Sequence, residues 1–214
     1  DGKVHGEVRF LGLFTAEAYD ETARSIPFVR RRVKKVIEAS GATPGGHTEK
    51  TVANLLETWP RDELFQTHSR ALTPMIIGAL HLVGRPRTRL FLRRDQFDRF
   101  VTAIVFVPRE AYDTSLRLRI TDVLTRAFAG ALVKFQPYFD TGPMARVHFE
   151  ISLDRNHPQP DEATLEREIA ELARTWDQGF RQALMESDLP ETDREGARAF
   201  IGAFNAAYRE AFPP

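Results

Sequence analysis

Cysteine is absent from the 214 residues. That excludes a disulfide framework, a cysteine zinc site and a thiol nucleophile, and it fits a reducing compartment, with cytoplasm as the expectation. A net charge of one sign is also missing. Thirty Lys plus Arg balance thirty Asp plus Glu, which argues against a nucleic-acid domain, since such domains concentrate basic charge on one face. No apolar run approaches the roughly 20 residues that span a bilayer, and Asp1 to Glu7 has no apolar stretch to serve as a signal peptide. Lysine is scarce, at five residues against 25 arginines, a bias that favours planar, forked contacts. The start at Asp1 without Met and the Pro213-Pro214 end predict a segment of something longer.

What is present reads as a folded α+β chain, with 42% hydrophobic and 28% charged residues. Gly6 to Phe14 has a strand pattern weakened by Gly12. Pro27 opens a helix whose Phe28, Val29, Val33, Val36 and Ile37 recur at helical spacing up to Gly41. Gly41 to Gly46 is a loop, a second helix runs from about Thr48 to Pro60, and a third from Leu64 to Val83, where Pro74 predicts a kink or two pieces. From Arg85 the period changes to that of strands. Arg89–Arg94 and the apolar Phe100–Val107 form a hairpin through Gln96-Phe97-Asp98. Asp113 or Thr114 caps a helix that ends at Gly130, and Ala131–Phe139 and Ala145–Leu153 make a second hairpin.

Residues 64 to 153 therefore read helix, strand, strand, helix, strand, strand. This is a βαββαβ ferredoxin-like unit with its first strand moved to the end, a circular permutation. In such a sheet Phe100–Val107 and Ala145–Leu153 lie in the centre, with Arg89–Arg94 and the Pro137-bearing strand at the edges. The alternation in Ala145–Leu153 predicts one face covered by helices and one face open, displaying Arg146, His148, Glu150 and Ser152. Without stacking aromatics that face is no nucleic-acid platform. Beyond the linker Asp154–Asp161, a stripe from Leu165 through Trp176 to Leu184 and another from Phe200 to Phe212 predict a helical hairpin.

Catalytic signatures are missing: no G-x-G-x-x-G, no G-x-x-x-x-G-K-[ST], no H-E-x-x-H, no G-x-S-x-G, and six histidines without metal-ligand spacing. Pro60–Phe65 is a capped helix start, with acidic residues placed to suit the helix dipole. Two clusters could hold a small carboxylate. Arg93, Arg94, Asp95 and Arg99 sit at the hairpin tip, and Arg109 and Thr114 sit where a central strand meets a helix N-terminus. Each has a plain structural alternative as turn charges and an ordinary cap. An alternative reading makes the chain a stand-alone amino-acid-binding sensor module, with its pocket near Arg93, Arg94 and the Val107 to Thr114 corner.

The segments FLGLFT (10–15), IP (26–27), PRDELFQ (60–66), RLFLRRDQFDRFV (89–101), VFVPREAYDTSLRLRI (105–120) and ARVHFEISL (145–153) together resemble the large bacterial NAD-specific glutamate dehydrogenases. The resemblance implies the non-catalytic region N-terminal to the dehydrogenase core, built from PAS-like and ACT-like modules and helical motifs. It implies residues 1–84 as the end of a PAS-like or αβ segment, 85–158 as an ACT-like ββαββ module, and 159–214 as a helical connector toward the catalytic domain. It also implies a parent that uses NAD to deaminate L-glutamate, a homo-oligomer, and an amino-acid effector, with no nucleic-acid or membrane partner. The family's glycine-rich loop with its catalytic Lys has no counterpart around Lys3, Lys34, Lys35, Lys50 or Lys134. No catalytic, cofactor or metal residue is therefore assigned, and Arg93, Arg94, Asp95, Arg99, Arg109 and Thr114 stand as effector or interface candidates.

Overall fold

The computed structural model describes residues 6, 8, 12, 13 and 15–212. The strand expected over Gly6 to Phe14 lies largely outside the described residues. Two compact units emerge, residues 1–81 and 82–214.

The first unit is helical: α1 (Glu17–Asp20), α2 (Val29–Ala39), α3 (His47–Thr58), α4 (Arg61–Gln66) and α5 (Ser69–Gly84), whose last residues pass the unit boundary after His81. Val29, Val33 and Val36 are the buried stripe of α2, and Gly41, at φ 68°, ends that helix in the left-handed conformation a glycine adopts without strain. Arg32 donates to the carbonyls of Leu64 and Phe65, both at 2.6 Å, and so satisfies the end of α4. The break expected at Pro74 falls earlier. Thr67 is extended and separates α4 from α5, while Pro74 is accommodated inside α5. A proline in the second turn of a helix removes one hydrogen bond, the one to Arg70, without ending the helix.

The second unit holds the sheet: β1 (Arg89–Arg94), β2 (Phe100–Pro108), α6 (Thr114–Phe128), β3 (Ala131–Phe139), β4 (Met144–Ser152) and α7 (Glu162–Leu172). The strand order is β1-β2-β4-β3 and every pairing is antiparallel. This is the order the permutation predicts, with β2 and β4 central. One helix differs. The second helix of the covering layer is α7, not the helix before β1: Leu165, Ile169 and Ala173 share a core with Val101, Val105, Leu116, Ile120, Phe149 and Ile151. The unit is thus ββαββα, a ferredoxin-like motif whose first strand and helix have both moved to the end.

The continuous stripe expected from Leu165 to Leu184 is broken after Ala173. Thr175 caps a new helix, α8 (Trp176–Glu186), with a capping box in which Gln178 returns the bond. α9 (Glu191–Arg198) and α10 (Ala206–Ala211) follow. The divided stripe serves two purposes, because its first half faces the sheet while Trp176 and Phe180 stack at 5.1 Å and meet Phe204 and Tyr208.

The end of α6 also departs from expectation. The left-handed residue is Ala129, at φ 47°, not Gly130. Gly130 is required for a different reason: a Cβ there would lie 2.0 Å from the Ser152 carbonyl oxygen and 2.8 Å from Ile151 Cγ2. The glycine lets the chain pass close over β4 as β3 begins.

Candidate functional site

The six candidate residues do not form one site. Arg93, Arg94, Asp95 and Arg99 lie where β1 turns into β2, and Arg109 and Thr114 lie beyond the other end of β2. Eight residue steps of strand, about 27 Å, separate the two groups. The pocket expected near Arg93, Arg94 and the Val107 to Thr114 corner is therefore not assembled within one chain.

At the first end the charges serve the hairpin itself. Asp95 is buried, and its carboxylate accepts from the Arg99 side chain at 2.8 and 3.3 Å and from the N–H groups of Phe97 and Arg99. The bonds from Arg99 hold the Asp95 carboxyl below its usual value of 3.8. The Arg93 guanidinium lies over the Phe100 ring. Arg94 donates to His157 Nε2 at 2.7 Å, so the imidazole proton sits on Nδ1, which donates to the Asp154 carbonyl at 2.9 Å. That pins the linker after β4 onto the hairpin tip.

At the second end, Asp113 is the cap of α6, accepting from the Leu116 N–H at 2.6 Å, and Thr114 is the first helical residue. Arg109 donates to the Asp140 carbonyl at 2.6 Å and its guanidinium lies over Phe139 at 5.6 Å, joining the β2–α6 connection to the β3–β4 turn. Each candidate is thereby occupied in turn, cap or loop geometry.

The face of the sheet turned away from α6 and α7 is not open. Phe91, Ile104 and Phe106 are buried, and Arg146 and His148, expected on display, are 5% and 3% exposed. Burial pushes the Arg146 guanidinium down to about 10, and the group sits 4.4 Å from the centre of the Tyr138 ring. Strict alternation located this face correctly but could not report whether it is covered.

Sequence reasoning missed what happens at the edges of the sheet. On the outer side of β1 the Leu90 N–H donates to Glu166 Oε2 at 2.9 Å, and Glu166 Oε1 takes the Arg89 guanidinium at 2.9 Å. One turn earlier on α7, Glu162 accepts the Leu92 N–H. Two glutamates at i and i+4 thus match alternate N–H groups of one strand. The signal was the E-x-x-x-E spacing, whose meaning depends on α7 lying along β1. At the opposite edge, seven of nine residues of β3 are exposed, including Val133, Phe135 and Phe139. Arg117 and Arg109 lie over the two phenylalanine rings from the helical side. This edge pairs on one side only; its apolar side chains are open to solvent, and Pro137, Lys134 and the register irregularity at residue 133 interrupt its ladder.

Among the described residues no group of His, Cys, Asp or Glu is placed to hold a metal ion, and no helix is long and apolar enough to cross a membrane.

Comparison with known proteins accords with this architecture. Residues 89–177 match the glutamate dehydrogenase ACT2 domain, and residues 26–85 match glutamate dehydrogenase helical motif 1. An NAD-specific glutamate dehydrogenase of Halomonas elongata is 36% identical over 212 residues, covering 99% of this chain and 13% of the relative. That of Pseudomonas aeruginosa is 35% identical over 215 residues, covering all of the chain and 13% of the relative. The Mycobacterium tuberculosis enzyme of the same name is 28% identical over 228 residues and is covered to 14%. The chain therefore spans about 13% of the length of the relatives it matches. On the two family models together and on alignments that run the length of this chain, it belongs to the NAD-specific glutamate dehydrogenase family, as a stretch holding helical motif 1 and the ACT2 domain.

Proposed function

We propose that this chain is a non-catalytic regulatory and assembly segment of a large NAD-dependent glutamate dehydrogenase. The parent would convert L-glutamate, NAD and water to 2-oxoglutarate, ammonium and NADH in the cytoplasm, with NAD held by the catalytic domain of the same polypeptide. The carrying observation is the form of the ACT2 sheet: four strands, every pairing antiparallel, with one edge closed by its own helix and the other exposed. Dinucleotide sites of the doubly wound kind need parallel strands whose carboxyl ends diverge around a crevice. An antiparallel sheet with one exposed edge is instead suited to joining another sheet.

On this reading β3 is the contact between copies of the parent. An amino-acid effector would bind between copies rather than within one chain, since the two arginine groups lie at opposite ends of β2. Two measurements on the 214-residue chain test the proposal. Incubated with L-glutamate and NAD it produces no NADH, and sedimentation velocity shows a concentration-dependent dimer. Turnover overturns the non-catalytic reading, and a monomer at every concentration overturns assembly through this segment.

A further inference from the structure

In the helical unit, α2, the loop after it and the start of α3 enclose a cleft of about 600 Å³, within the range of small-molecule sites. Its floor is apolar: Val33, Ile37, Ala42 and Pro44. Its rim carries the cations Arg24, Arg30, Arg31 and Lys34 against the carboxylates Glu38 and Glu49. The local sequence explains this division. The stripe Val29, Val33 and Val36 turns α2 inward, which leaves Arg30, Arg31 and Lys34 facing outward. Gly41 and Gly45, at φ 68° and 74°, then bend the chain so that Ala42 and Pro44 come to line the same cleft.

The charges on the rim do not cancel. Glu49 is engaged by the Gly45 N–H at 2.6 Å and stands 3.9 Å from Arg24, while Glu38 lies 3.8 Å from Lys34. Among the described residues no side-chain hydrogen bond or ion pair engages Arg30 or Arg31. Two other arginines of this unit are occupied structurally: Arg32 by the carbonyls at the end of α4, and Arg61 by Glu57 and the Glu21 carbonyl. Among the described residues, the two at the cleft stand beside an apolar floor without an ion-pair partner.

We propose that this cleft binds an amphipathic organic anion, a carboxylate or phosphate on a medium-length apolar chain or ring. The anionic head lies between the guanidinium groups of Arg30 and Arg31 with Lys34 beside it, and the apolar body covers Val33, Ile37, Ala42 and Pro44. Forked guanidinium contacts suit either head group. The proposal does not depend on the assembly reading above.

Titration of the 214-residue chain with decanoate and with decyl phosphate, followed by amide chemical shifts, tests it. Saturable shifts are expected at residues 30–38 and 42–49, and the relative strength of the two probes tells which head group is preferred. Arg31→Glu, at an exposed position, is expected to weaken binding about tenfold or more, the worth of a charge-assisted contact. Ile37→Asp, which charges the floor, should do the same. Inorganic phosphate should bind at least about tenfold more weakly than decyl phosphate, because it has no apolar body to bury. Absence of saturable shifts with both probes, shifts located elsewhere, or phosphate binding as tightly as its decyl ester would each overturn the proposal.

Discussion

At β1 the outward N–H groups of Leu90 and Leu92 end on the carboxylates of Glu166 and Glu162, and no residue of the strand is exposed. At β3, seven of nine residues are exposed and strand pairing exists on one side only. Both are edges of one sheet, and an unmanaged edge recruits other strands. Sealing one and exposing the other turns a sheet that could polymerise through both edges into one that can join at a single edge. A contact of that kind closes at two copies when it is isologous. On the proposed assembly, the glutamates, more than the apolar residues of β3, would confine association to one side.

The largest way to break the comparison is at Gly130, where β3 begins. A Cβ would meet the Ser152 carbonyl oxygen at 2.0 Å, a backbone atom that cannot swing away as a side chain would. Gly130→Ala is expected to cost about 3 kcal/mol, at the upper end of overpacking effects, read from urea unfolding midpoints. A loss below about 0.5 kcal/mol, the scale of a neutral surface change, would show that β3 can shift against β4. The exposed edge would then have no fixed register.

Glu166→Ala comes next. It removes the acceptor for both the half-buried Arg89 guanidinium and the N–H of the buried Leu90, so about 1–2 kcal/mol is expected. Hydrogen exchange at Leu90 should accelerate, and association beyond the dimer should appear as concentration rises. A variant that stays dimeric with slow exchange at Leu90 would mean that α7 covers the edge without its carboxylate.

The pH response distinguishes the sealing glutamates from the turn carboxylate. Burial first, and the neighbouring Glu166 charge second, raise the Glu162 carboxyl above 4.5. The folded chain therefore holds this proton more tightly than the unfolded chain. Its contribution is fully present at pH below 4.5 and is lost as pH rises through the folded value. Glu162→Gln should thus gain stability relative to the parent as pH rises across that window. Asp95 has the opposite sign, since its bonds to Arg99 lower it below 3.8. Its contribution is present above that value and lost as pH falls, so Asp95→Asn should lose its disadvantage in acid. Parallel pH profiles for the two variants would contradict these assignments.

Much of the architecture was legible in the sequence because it rests on local rules. Periodicity located the four strands and α6, and the contrast between the apolar Phe100–Val107 and its charged or proline-bearing neighbours set the strand order. What was not legible depends on which element lies against which. Leu165 and Ile169 carry the same stripe whether they pack on a sheet or on a partner helix, so α7 read as connector. Arg146 alternates as an exposed residue would, and only tertiary cover makes it buried. The candidate arginines share a chemistry but not a location: the strand read over Phe100–Val107 already holds the hairpin tip away from the Arg109 corner. The glutamates at 162 and 166 look like any solvated helix face until β1 is placed beside them.

The smallest effect on stability is expected where the effect on assembly is greatest. Val133 lies at the register irregularity between Leu132 and Lys134 and is 56% exposed. Val133→Lys should change unfolding free energy by no more than about 0.5 kcal/mol, as for surface sites that hold no cap, core contact or network. A charge placed on an edge strand opposes its own pairing, and in an isologous contact each copy brings one, so two charges must be desolvated and repel each other. Sedimentation should then find the variant largely monomeric at concentrations where the parent chain dimerises, with added salt restoring part of the association because the opposing charges are screened. Unchanged dimerisation would move the contact away from β3. It would leave the sealed β1 edge as protection against aggregation alone, with no part in choosing where copies meet.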